Sequence, residues 1–402
     1  MRGSDGEPRP FLLGLVFFTV FLDLVGFGIV LPLLPYFATD LGASGLVVGA
    51  IVASYSLMQF VFSPFWGALS DRFGRRPLLI LGLLGSSVSY VMFGLAGSVG
   101  VLLASRIVAG AMGATIPVAQ AMVADSTTPE RRARGMGMIG AAFGLGFIFG
   151  PVTGGLLSHY GYGVPGFVAA GLAGAATLAA LFLLPETLPP ERRVRTAGGW
   201  SAVGDRLRSA RLVLVRPELI RPIAVFFLMT LGFAGFMTAF PLFLDRPLGF
   251  TAREAGWLFA YVGLISAIIQ GGLIGPVVER YGERRVAGWG ALILASGMTL
   301  IAAIPEFPAL FAALALIGIG WGFVVPALNS LVSRRALARE QGEVLGVNQS
   351  VSSAARVIGP VAAGWGFDIL GPELAFAAGA GLLLAGAGLA ISTRDRRESY
   401  FG

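Results

Sequence analysis

Cysteine and lysine are absent from this 402-residue chain, and histidine occurs once, at His159. Without cysteine there is no disulfide framework and no thiolate metal site. A lone histidine leaves neither a histidine-rich metal centre nor a Ser-His-Asp relay. No catalytic residue, metal or cofactor is therefore expected, and the chain does not read as an enzyme. Charge is also scarce. Only 13% of residues are charged, against roughly 25% in soluble domains.

Grease and glycine fill the space. The chain is 55% hydrophobic, with 59 glycines and a mean hydropathy of +0.80. Such a balance describes a polytopic helical membrane protein. Apolar stretches of about 20 residues, enough to cross a bilayer, recur twelve times. They cover approximately 11–36, 47–69, 78–97, 100–123, 135–158, 164–184, 221–244, 254–277, 286–304, 309–333, 343–366 and 373–392. The first is too long for a signal-peptide core and lacks a small-residue cleavage pattern, so it is expected to be a retained helix.

The net charge of +7 is carried entirely by arginine. The arginines sit in short loops between apolar runs, which points to membrane topology rather than nucleic acid. With the N-terminus inside, nearly all of them fall on the cytoplasmic side, among them Arg72, Arg131, Arg284 and Arg334. Only Arg246 and Arg253 fall outside. That asymmetry places both termini in the cytoplasm.

The longest polar stretch divides six spans from six. The expected organisation is an N-terminal bundle over 1–184, a linker over 185–220 and a C-terminal bundle over 221–402. Within the linker, Trp200, Val203, Leu207, Ala210 and Leu214 share a helical face. They form an amphipathic helix, lying either on the inner leaflet or against protein.

The halves are also related in sequence. Shifted by 208 residues, "GALSDRFGRRP" (67–77) meets "GPVVERYGERR" (275–285), pairing Gly67 with Gly275, Asp71 with Glu279, Arg72 with Arg280 and Gly74 with Gly282. A shift of 209 pairs Gly150-Pro151 with Gly359-Pro360 and Gly155 with Gly364. Two six-helix repeats imply a transporter with its site between them near the bilayer midplane.

Each motif has a physical role to fill. In the 67–77 hairpin, Gly67 would permit close helix approach and Gly74 a tight turn. Asp71 would either accept hydrogen bonds from the next helix's amides or pair with an arginine, Arg75 and Arg76 being at hand. The cluster Gly67, Asp71, Arg72, Gly74, Arg75 and Arg76, with Glu279 and Arg280 in the second copy, is the candidate conformational gate. In span five, Ala142, Gly146, Gly150, Gly154 and Ser158 recur every four residues. They make a small-residue face, to which Pro151 adds a local bend; Gly146, Gly150, Pro151, Gly154 and Gly155 are the candidate seam between the halves, the alternative being simple close packing.

Asp23, Arg106 and Arg356 lie well inside spans, where a charge is costly unless it is paired or faces water. A carboxylate that alternates between protonated and charged forms is the minimal proton carrier. Desolvation favours its neutral form and a nearby cation its charged form. Asp23 with Arg106 is the candidate coupling pair, the alternative being a static structural pair. Arg356 receives no role, and His159 is expected at the surface. Phe27, Tyr55, Gln59, Gln120, Tyr261, Gln270, Trp321, Asn329 and Asn348 are the candidate substrate lining, suited to amphipathic organic molecules.

"GALSDRFGRRP" resembles the signature loop of the major facilitator superfamily, and the resemblance runs along essentially the whole chain. "GFIFGPVTGG" (146–155) is similar to the helix-five pattern of its drug:proton antiporter branch. "RIVAGAMGAT" from Arg106 is similar to that branch's helix-four arginine motif. "LDLVGFGIVLPLLP" (22–35) and "LLPETL" (183–188) resemble tetracycline-efflux and multidrug exporters. The resemblance implies a monomeric twelve-helix transporter of the cytoplasmic membrane, coupled to the proton gradient, whose partners are protons, a small molecule and lipid. An importer on the same fold and a non-transporting membrane sensor are the alternatives.

Overall fold

The computed structural model describes residues 10–193, 211, 213–245, 248–303, 307–336 and 340–392. Among them the chain is helical throughout, with no strand. The helices are α1 (Pro10–Asp40), α2 (Gly45–Phe73), α3 (Arg75–Gly94), α4 (Val99–Ala111), α5 (Thr115–Ser126), α6 (Pro129–Leu157) and α7 (Gly163–Leu183). After the linker come α8 (Pro217–Asp245), α9 (Ala252–Ile268), α10 (Ile274–Tyr281), α11 (Glu283–Ala303), α12 (Phe307–Arg335), α13 (Gln341–Leu370) and α14 (Pro372–Ser392). The amphipathic helix expected around Trp200 lies largely outside the described residues.

Eleven segments among the described residues are long and apolar enough to cross a membrane. The twelfth expected span lies within α13, which is 30 residues long. Asn348, Gln349, Ser350, Ser352, Ser353 and Arg356 interrupt its apolar character. Large apolar side chains also remain on the outside, including Phe182 at 76% exposure and Leu178 at 56%. A soluble protein would hide such a surface, whereas a bilayer solvates it.

Two expected spans are not single α-helices. Span four is broken between α4 and α5 at 112–114. Pro117 lacks the N–H that would bond back to the Gly113 carbonyl, and a proline in a helix's first turn loses nothing by that. The break places Arg106 and Gln120 on separate helices, α4 and α5. Span eight contains a π-turn at Ile269–Leu273 between α9 and α10. Gln270, Gly271 and Gly272 lie within it, and π-turns concentrate at functional sites.

The chain forms two compact units. Unit 1 comprises Met1–Ala43, Ser54–Gly204 and Leu244–Ala260, and unit 2 comprises Ser44–Ala53, Asp205–Phe243 and Tyr261–Gly402. In unit 1, α1 packs on α6 and α7, and α3 on α4 and α7. In unit 2, α11 packs on α12 and α14. The two repeats therefore donate short pieces: the start of α2 groups with unit 2 and the start of α9 with unit 1.

Candidate functional site

Asp23 stands midway along α1 in unit 1. One carboxylate oxygen, Oδ1, is sealed from solvent and has no hydrogen-bond partner. The hydroxyls of Ser86 on α3 and Thr115 on α5 lie beside it, and Thr115 Oγ1 is likewise buried without a partner. Arg106 on α4 is 3% exposed. Its guanidinium lies over Phe93 at 5.3 Å and Tyr90 at 5.8 Å, and Nε donates to Ser105 Oγ at 3.3 Å. Its Nη2 has no partner.

No ion pair joins Asp23 to Arg106, so the static structural pair is not what this conformation contains. Aromatic faces hold the arginine instead, a contact worth about 2 kcal/mol when desolvated. Tyr90, absent from the sequence candidates, is the side chain whose surroundings include both Asp23 and Arg106. Its ring packs on α1 at Gly26, where an added Cβ would meet Tyr90 Cε2 at 3.0 Å. Its signal was a tyrosine at mid-span depth, the same signal that selected Tyr55.

Three lining candidates meet in the same unit. The Phe27 and Tyr55 rings are 5.2 Å apart, and Gln59 Nε2 donates to Tyr55 Oη at 3.4 Å. Phe147 of α6 closes on Phe27 at 6.1 Å. Gln120, on α5, is exposed.

The unit 2 candidates form separate contacts. Trp321 stacks on Phe233 with centroids 3.8 Å apart and planes 6° from parallel. Tyr261 meets Phe311 at 5.7 Å. Asn348 donates to Asn329 at 3.4 Å but is only 2% exposed, so it bonds between helices rather than forming an open wall. Arg356 Nη2 donates to Ser353 Oγ at 3.0 Å. Gln270 is exposed on the π-turn.

At the hairpin, Gly74 has φ 107° and begins α3. The amides of α3 go to Glu186 rather than to Asp71. Glu186 accepts from Arg75 N at 2.9 Å and Arg76 N at 3.3 Å, and also from Thr187 N and Leu188 N. A Cβ at Gly74 would collide with that carboxylate, so both backbone and space require glycine. Asp71 takes its other expected role, pairing with Arg75 at 2.5 Å. Arg75 also reaches Asp125 at 2.9 Å and Ser70 Oγ at 2.7 Å. Arg76 donates to the Leu181 carbonyl at 2.6 Å, and Arg72 lies over Phe73. Gly67 does not mediate close approach here, since an added Cβ would meet nothing within 4 Å.

In the second copy Gly282 repeats the turn with φ 80°. Glu279 and Arg280, the expected gate residues, are exposed, and Arg280 stacks over Tyr281. In this copy Glu283 pairs with Arg334 at 2.9 Å. Arg284 donates to the Ala390 and Ile391 carbonyls, as Arg76 does to Leu181.

The small-residue face of α6 has two jobs. An added Cβ at Gly150 would lie 2.5 Å from Gly28 Cα, and one at Gly146 would lie 2.9 Å from Leu24 Cβ. Gly154 meets Ile29. Gly146, Gly150 and Gly154 therefore pack α6 on α1 inside one unit, which is the close-packing alternative for these three glycines. Pro151 and Gly155 face the other way, onto Gly256, Ala252 and Arg253 at the start of α9.

The sequence pattern of the Major Facilitator Superfamily matches residues 16–273 and 223–401. Multidrug resistance protein 2 of Bacillus subtilis (strain 168) is 30% identical over 403 residues, 99% of this chain and 98% of that protein. Tetracycline resistance protein, class C, of Escherichia coli is 36% identical over 346 residues, 85% of this chain and 86% of that protein. The crystal structure of the human organic anion transporter MFSD10 (TETRAN) superimposes with a TM-score of 0.73 at 29% identity, covering 96% of this chain and all of that one. The chain belongs to the Major Facilitator Superfamily.

Proposed function

We propose that the protein is a proton-coupled secondary transporter that exports lipophilic or amphipathic small molecules by alternating access. One observation carries the coupling: a carboxylate at mid-span, Asp23, with an unpartnered buried oxygen beside hydroxyls, Tyr90 and the Arg106 site. A buried acid without a counter-ion is a group suited to take up and release a proton as its surroundings change. Similarity to multidrug and tetracycline resistance proteins supports export and the class of cargo. The protein works as a monomer in the cytoplasmic membrane with both termini inside, and needs the proton gradient but no cofactor. Purified protein in liposomes should move such a compound uphill when a proton gradient is imposed, and should acidify or alkalinise the lumen as it does so. Flux that ignores the gradient would instead mark a facilitator.

Arg356 favours a second reading of the cargo. This arginine lies within a span and hydrogen-bonds Ser353, and the MFSD10 structure, an organic anion transporter, is similar in sequence and fold. A cationic dye competing with transport but an anionic one failing to compete would exclude that reading.

A further inference from the structure

The two repeats cross in similar ways at the starts of α2 and α9. Pro151 and Gly155 of α6 meet Gly256. At the positions 209 residues later, Pro360 and Gly364 of α13 meet Gly49 and Gly45 of α2. A Cβ on Gly45 would lie 2.7 Å from the Gly364 carbonyl, so this crossing is backbone against backbone. Both parties belong to unit 2, although the rest of α2 belongs to unit 1.

The crossings differ in one feature. At α2, Asp368 of α13 receives the first free amides of the helix, Gly45 N to Oδ1 at 2.9 Å and Leu46 N to Oδ2 at 2.8 Å. An anionic carboxylate on two N-terminal amides combines charge-assisted hydrogen bonds with the helix dipole. At the equivalent position in the first repeat stands His159, which is exposed beside Tyr160. The start of α9 is instead capped locally, Glu254 accepting from Thr251 N at 2.9 Å. One crossing is thus tied across helices, and the other is only packed.

We propose that Asp368 is a positioning residue of the transport cycle: it ties the start of α2 to α13, and its release from Gly45 and Leu46 is a required step. This rests on the transporter reading above. The tie lies at the end of α2 opposite the Gly67–Pro77 hairpin, so it holds the side that the hairpin does not. The amides are fixed in the backbone and have no rotamer of their own. Release must therefore come from the Asp368 side chain or from withdrawal of the whole turn. Removing two charge-assisted bonds shifts a two-state population by about tenfold or more.

The chain contains no cysteine, so spin labels can be placed at Leu46→Cys and Ile369→Cys, both exposed positions. Distance distributions of the full-length protein in liposomes then report the crossing directly. The parent should show a dominant short distance. Asp368→Ala should enlarge the long-distance population about tenfold and change transport turnover more than KM, while Asp368→Asn, which retains one acceptor, should fall between. Gly49→Ala, which pushes a Cβ into Pro360, opens the crossing with Asp368 intact and calibrates the long distance, and Asp368→Asn decides the matter if Asp368→Ala fails to insert. Unchanged distributions in the inserted Asp368 variants would overturn the proposal. A shifted distribution in a protein that carries no flux would uphold the tie and sink the transporter reading, so the two failures are distinct.

Discussion

Glu283 and Arg334 form, with the charges exchanged, the same ion pair in the second repeat that Arg75 and Asp125 form in the first. Both pairs close at 2.9 Å. The repeat shifts of 208 and 209 carry Arg75 onto Glu283 and Asp125 onto Arg334. What the fold retains is a bridge between neighbouring helices, independent of its polarity. The pairs are unequal in environment, because Arg75 is 11% exposed and Arg334 71%. A double-mutant cycle on Arg75 and Asp125 should give a coupling of about 1–3 kcal/mol, whereas one on Glu283 and Arg334 should give less than about 1 kcal/mol. The check is thermal or denaturant unfolding of the four variants of each cycle.

Glu186 is expected to matter for stability, and Asp71 for the rate. Glu186→Ala strips the carboxylate from the start of α3 and should cost about 1–2 kcal/mol, seen as a lower melting temperature in detergent. Asp71 is 48% exposed and pairs with an arginine that already has Asp125. Asp71→Asn should therefore leave folding nearly unchanged and lower transport turnover with little change in KM. Equal turnover in mutant and parent would show that the pair takes no part in conformational exchange.

The α1–α6 contact gives a third expectation. Gly150→Leu would drive a side chain into the backbone of Gly28 and Ile29. Overpacking of that kind costs about 1–3 kcal/mol or more, and it falls inside unit 1. Membrane insertion should survive, since leucine is favourable in hydrocarbon. The inserted protein should unfold at a lower temperature and lose flux together. A variant that loses flux with its stability intact would return this face to the role of a sliding seam.

Much of this was legible in the sequence because the bilayer writes a strong signal. Span lengths, the signature hairpin and the pairing of Gly74 with Gly282 follow from hydropathy and glycine placement. The Asp23 and Arg106 candidates stood out because charge inside a span is rare. Contacts between distant segments were not legible. "LLPETL" was noticed as a motif, but its carboxylate caps a helix that starts 111 residues earlier. Residue type pairs Asp71 with Glu279, but the second repeat forms an ion pair at Glu283. The break in span four and the π-turn in span eight depend on a few backbone hydrogen bonds, to which an apolar pattern is blind. The stripe on α6 was read correctly as a contact surface, but its spacing could not identify α1 as the helix it touches.

The central claim is that Asp23 carries the coupling proton, and gradient-driven flux through Asp23→Asn tests it most directly. Asparagine keeps the size and hydrogen-bonding capacity of the side chain but cannot take up and release a proton. In liposomes with an imposed proton gradient, the parent should accumulate substrate uphill. The Asp23→Asn variant, inserted to the same level, should still bind substrate, with most of the pH dependence of binding gone, and should only equilibrate it. Uphill accumulation by Asp23→Asn would contradict the account and place the proton on another residue.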